Sequence, residues 1–139
     1  MKRNYLFSYG TSQTAFSAWL LIARLFFGAM LFRHGYEKLL NFDTLSATFA
    51  DLLGIGSQIS LLLAIFAEVF CAVAFMLGFF FRFSVLPMIV TMGVAFWWVH
   101  KGNVAGGELA LIYLVVFLQM LMTGPGRFSL DALLSRHLR

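Results

Sequence analysis

The chain has 139 residues, 61% hydrophobic, 17% aromatic and only 12% charged, with a formal net charge of +4. A soluble domain of this length is nearer half apolar and a quarter charged, so a water-soluble globule is excluded and one compact membrane domain is the unit expected. The positive residues flank apolar runs and form no basic face, which speaks against nucleic acid as a partner and for a lipid bilayer.

A helix crossing the hydrocarbon core takes ~20 mostly apolar residues. The first run follows Met1-Lys2-Arg3, opens near Ala15 and extends to about residue 37. It carries Arg24 in its middle and is followed by no small-x-small cleavage site, so it is expected to stay as a first span rather than leave as a leader. In the next stretch Phe42, Leu45, Phe49, Leu52 and Leu53 recur at helical spacing, with Asp43 and Asp51 opposite and Gly54 and Gly56 closing. That pattern predicts a short amphipathic helix over about 42–53, lying at the interface.

The second and third spans are predicted over 59–81 and 83–100, with only Arg82 between them and therefore a tight turn. Pro87, about one turn into the third, sits where proline is tolerated near a helix start. A flexible GNVAGG loop leads to the fourth span, 107–123, which Gly124-Pro125-Gly126 ends. Ser129–Arg139 reads as a basic amphipathic tail. The predicted fold is all-α: an integral membrane four-helix bundle with a short interfacial helix after the first span, one domain over 1–139.

Orientation follows from where lysine and arginine fall. Lys2, Arg3, Arg82, Arg127, Arg136 and Arg139 share one side; Arg33, Lys38 and Lys101 share the other. The excess of positive residues is expected on the cytoplasmic side, which puts both termini there. The lone cysteine, Cys71, lies inside an apolar run. It permits neither an intramolecular disulfide nor a C-x-x-C redox pair, and its expected role is packing.

The function classes are narrowed by the charges inside the apolar runs. A charged side chain at the bilayer centre costs roughly 2.5–3.5 kcal/mol on insertion scales. Arg24 and Glu68, of opposite sign, both count to ~15 Å deep at 1.5 Å per residue, so an Arg24–Glu68 pair near the midplane is expected. Arg24, Gly28, Leu31, Gly35 and Lys38 recur on one helix face, with the two glycines permitting close helix approach. His34, His100 and Glu108 stand at the outer ends of their runs and are expected to form the rim of a cleft leading to that pair. The pair is either a structural lock on bundle register or a ligand or proton site. Two facing histidines can hold haem or metal, but no ligand-spacing motif accompanies them and no metal is expected. Trp97 and Trp98 read as an interfacial aromatic belt.

These residues resemble a known family. RLFFGAMLFRHGYEKLLNF (Arg24–Phe42) is similar to the first-helix signature of the DoxX family, and EVFCAVAFMLGFFFR, opening on Glu68, is similar to the second. HKGNVAGGELALIYL carries the outer histidine and the glutamate of the last helix, and GPGRFSLDALL resembles the family's closing motif. The resemblance implies a four-helix membrane bundle in the bacterial inner membrane. It further implies a link to quinone redox chemistry, since relatives include a membrane subunit of a thiosulfate:quinone oxidoreductase, and others are associated with oxidative-stress assemblies.

On that basis Arg24, His34, Lys38, Glu68, His100 and Glu108 are the candidate quinone-binding residues. Quinone is the cofactor implied, and a partner oxidoreductase and a homo-oligomer are the assemblies to consider. The chain has no C-x-x-C-H, cysteine cluster or Gly-rich nucleotide loop of its own, so any second redox centre belongs to a partner. The alternative is a non-catalytic scaffold or small transporter whose intramembrane Arg–Glu pair is structural.

Overall fold

The computed structural model describes residues 10, 12–51 and 53–138. Lys2, Arg3, Leu52 and Arg139, which entered the sequence reading, lie outside the described residues. Among the described residues six helices follow in order: α1 Gln13–Leu40, α2 Phe42–Leu45, α3 Ser57–Leu77, α4 Phe81–Val99, α5 Val104–Thr123 and α6 Leu130–His137. Of these, α1, α3, α4 and α5 are each long and apolar enough to cross a membrane, so the chain is an all-α, multi-pass membrane bundle.

The helix ends have local causes. Ser12 caps α1, its Oγ accepting from the Ala15 amide at 3.1 Å, as short hydroxyl side chains do at first turns. Gly78, with φ 66°, stops α3 in a left-handed turn whose amides return to the Ala74 and Phe75 carbonyls, the arrangement that glycine allows without steric cost. The turn into α4 is therefore tight, as expected, but it starts at Gly78 and α4 already begins at Phe81. Asn103 caps α5 through the Ala105 amide at 3.0 Å. Two stretches depart from α geometry: Phe66–Cys71 inside α3 and Ala95–Val99 at the end of α4 are π-helical.

The predicted face of α1 is the buried one: Arg24, Gly28, Leu31 and Gly35 all point inward. A Cβ placed on Gly28 would stand 2.3 Å from Met76 Cγ, and one on Gly35 would stand 2.6 Å from Glu68 Cβ and 2.9 Å from its carbonyl carbon. These contacts set α1 against α3 at closer range than any larger residue permits, the usual device inside membrane bundles, where lipid offers no hydrophobic drive between helices. Phe75 fills the centre, stacked on Phe81 and edge-on to Phe117, each at 5.3 Å between ring centroids. Trp19, Phe26, Phe66, Phe70, Phe83 and Val90 face outward, exposed to what would be lipid. Cys71 is buried in the same core.

The helix after the first span is a single turn, Phe42–Leu45, followed by turns, and is shorter than the predicted 42–53. Its apolar residues have another place to go: Phe42, Leu45 and Phe49 pack on Leu61, Ile65 and Val69 of α3. Asp51, expected on a polar helix face, instead accepts from the Ile55 and Gly56 amides at 3.0 Å each and fixes the entry to α3.

Candidate functional site

The expected Arg24–Glu68 pair does not form. Glu68 pairs with Lys38, and Arg24 donates through Nη2 to the carbonyl of Phe128. The cause is register. Gly35 lies against Glu68 and Gly28 against Met76, which leaves Arg24 opposite Gly78. Arg24 is 11 residues before Gly35, roughly 16 Å along the axis. Depth counted from the end of each apolar run misplaced the two because α1 and α3 differ in length, 28 against 21 residues.

At the Lys38 end, a cavity of ≈ 500 Å³ opens between the loop after α1 and the helices α3 and α4. Most of its wall is apolar, with Phe49 from the loop and Ala64 and Val94 from the helices. Its polar groups are the Lys38–Glu68 pair, Thr48, Ser60, Thr91 and His100. The Glu68 side chain is 4% exposed and the Lys38 side chain 27%, so the carboxylate is held inside and the ammonium reaches in from the edge. A paired charge is the form in which a buried carboxylate is tolerated.

Both π-helical stretches touch this cavity. Glu68 lies within Phe66–Cys71, and Ala95 and Val99 belong to the second stretch, which His100 ends. Such one-turn irregularities concentrate at functional positions. They carry no residue signature, and the sequence reading did not find them. Thr91 was also missed; a hydroxyl amid the third apolar run was the available signal.

The remaining candidates separate. His100 lines the cavity, as a rim residue should, and its side chain packs where a Cβ on Gly107 would stand. His34 is half-buried and stands edge-on to Tyr113 at 6.5 Å between centroids, outside the cavity lining. Glu108 is exposed on the first turns of α5 and does not line it either. The expected rim of His34, His100 and Glu108 is thus reduced to His100. Among the described residues, no three His, Cys, Asp or Glu side chains gather as a metal site would require.

At the other end a second arrangement ties the tail to the bundle. Gly126 lies against Leu20 and the Ser17 backbone, the Arg127 amide donates to Ser17 Oγ at 3.3 Å, and Ser129 caps α6. Asp131 accepts from the Phe80 and Phe81 amides at 2.9 Å each, while its own amide donates to Gly78 O at 3.0 Å. Within the closing motif, Ser129 therefore starts α6 and Asp131 clamps the start of α4.

Four membrane-crossing helices around a buried ion pair and an apolar-walled cavity define a small multi-pass membrane bundle protein with a candidate ligand site. The chain belongs to the DoxX family, whose profile matches residues 19–101. It is 32% identical over 120 residues to an uncharacterized protein of Haemophilus influenzae, a match covering 81% of this chain and 87% of that one. It is 31% identical over 122 residues to the inner membrane protein YphA of Escherichia coli, with the same coverage of 81% and 87%. No solved structure matches. Family and fold together make it a multi-pass protein of the bacterial inner membrane.

Proposed function

We propose that this DoxX-family protein is a quinone-binding, redox-associated membrane subunit that works with a partner oxidoreductase, with both termini in the cytoplasm. The observation that carries the reading is the ≈ 500 Å³ cavity holding the Lys38–Glu68 pair, Thr91 and His100 within apolar walls. Ligand sites of this size are mostly apolar, with a few placed polar groups. The residues present suit a quinone head group: Lys38 has three donor hydrogens, of which the Glu68 bond uses one, and Thr91 adds a hydroxyl. Bound there, a quinone would supply two-electron, two-proton chemistry, with electrons from the partner's reduced centre. Lys38 and Thr91 would orient the carbonyls, Glu68 would hold Lys38 in position, and His100 would stand at the aqueous mouth as a proton carrier.

The second reading is a scaffold or small transporter, in which the pair only fixes how the helices pack. The seating of Gly35 on Glu68 favours it, because the residue that carries the carboxylate is itself part of the close α1–α3 contact.

Binding separates the two. Replacing a buried pair by apolar residues of similar size is often neutral for folding, so Lys38→Met/Glu68→Leu keeps the bundle and removes the polar handle. Titration with a short-chain ubiquinone analogue, followed by quenching of the tryptophan emission, is expected to saturate in the wild type and to lose saturation in the double variant. Trp97 and Trp98, beside His100, are the reporters. Non-saturating quenching in the wild type overturns the quinone reading; unchanged saturation in the double variant moves the site elsewhere.

A further inference from the structure

The Arg24 guanidinium is fully buried, with 0% exposure, and only Nη2 has a partner; Nε and Nη1 have none among the described residues. A buried cation whose donors lack partners is costly. The carboxylate nearest this region, Asp131, offsets that charge only from a distance. Its two oxygens are taken by the Phe80 and Phe81 amides, and it forms no salt bridge with Arg24.

Arg24 forms part of the wall of a cleft of ≈ 570 Å³ between α1, the end of α3 and the tail segment, and Arg127 and Arg136 also line it. No Asp or Glu is among the described residues lining this cleft. The rest of the wall is largely apolar, including Leu21, Leu25 and Met76. Two exposed guanidiniums with a third buried behind them, on an apolar-walled cleft at the end of the bundle where the tail packs, ask for an anion that also carries a hydrocarbon chain.

We propose that this cleft seats one anionic phospholipid. Its phosphate lies against Arg127 and Arg136 within the field of Arg24, and an acyl chain runs along Leu21, Leu25 and Met76. Guanidiniums bind phosphate oxygens in a fixed, bidentate fork, and basic pockets at membrane-helix ends are known settings for acidic headgroups. An anionic headgroup is favoured over a choline one because a quaternary ammonium would add a fourth positive charge. The proposal stands apart from the quinone reading, which concerns the opposite end of the bundle.

The test is native mass spectrometry of the purified full chain in detergent, titrated with phosphatidylglycerol or with phosphatidylcholine of the same chains. One phosphatidylglycerol is expected to be retained, with phosphatidylcholine weaker by on the order of tenfold. Arg127→Gln/Arg136→Gln should weaken phosphatidylglycerol by a similar or larger factor, since each basic residue near a membrane surface adds appreciable attraction. Arg33→Gln, at the other end, should leave it unchanged. Millimolar inorganic phosphate separates the two sources of the phosphate group: a lipid site resists it, and displacement would mean a free-phosphate site. Equal retention of both lipids, unaltered retention in the Arg127/Arg136 variant, or displacement by phosphate each overturns the proposal.

Discussion

Two positions on α1, one near its middle and one near its C-terminal end, carry the same problem and solve it differently. Lys38 and Arg24 lie on one helix face, and each puts a cation beside a buried part of α3. Lys38 meets a carboxylate, and the pair stands at the wall of a cavity. Arg24 meets a carbonyl and a glycine, while the carboxylate facing it is committed to backbone amides. Charge in a membrane interior is thus not one signal. A balanced pair can line a site without needing a ligand for stability, whereas a buried cation with no direct ion pair leaves room for an anion from outside the chain.

The largest effect should come from unbalancing the balanced end. Lys38→Met leaves Glu68 buried without its partner and is expected to cost about 3–5 kcal/mol in a detergent unfolding series. Glu68→Gln should cost less, because Lys38 is the more exposed partner and can turn its ammonium to water. Near-wild-type stability of Lys38→Met/Glu68→Leu would complete the pattern, and equal losses for the two single variants would break it.

Close approach comes next. Gly35→Ala should cost about 2–3 kcal/mol by overpacking, because its Cβ meets the backbone of Glu68. Gly28→Ala should cost less, since the atom in its way belongs to the flexible Met76 side chain. A reversal of that order in thermal melts would mean that α1 and α3 do not pack in this register.

At the Arg24 end, Asp131→Ala strips the two amides of Phe80 and Phe81 of their acceptor and should cost about 1–2 kcal/mol, as the loss of a helix cap does. Hydrogen exchange at the start of α4 should rise with it; unchanged protection there would sever the tail from the bundle. The smallest effect belongs to the exposed pair Arg33–Glu37, 3.1 Å apart on the surface of α1. Arg33→Ala should shift stability by no more than about 0.5 kcal/mol.

Much of this architecture was legible in the sequence, for reasons that also explain where legibility stopped. The 3.6-residue period identified the buried face of α1, because glycine and arginine at that spacing leave few other interpretations. Apolar run lengths located the four spans to within a few residues. Run length does not report how far one helix slides past its neighbour, and the partner of Glu68 depended on that slide. Gly35 and Gly28 set it through contacts between residues distant in sequence. Likewise, Phe42, Leu45 and Phe49 were recognisably apolar, but whether they cover lipid or α3 is a tertiary choice.

His34 and Glu108 were placed at a rim because both end apolar runs. Their rotation about the helix axes puts one against Tyr113 and the other into the open. The motif around Ser129 and Asp131 was visible as a signature of resemblance, with no hint that Asp131 reaches the amides at the head of α4.

The central claim is that the cavity beside Lys38 and Glu68 is a ligand site, and filling it tests this most directly. Thr91→Phe places a ring in the cavity from α4 and leaves the ion pair intact. Mass spectrometry of small molecules co-purifying from native membranes should then find a quinone enriched with the wild type and lost from Thr91→Phe. Equal enrichment in both, or none with the wild type, would contradict the account.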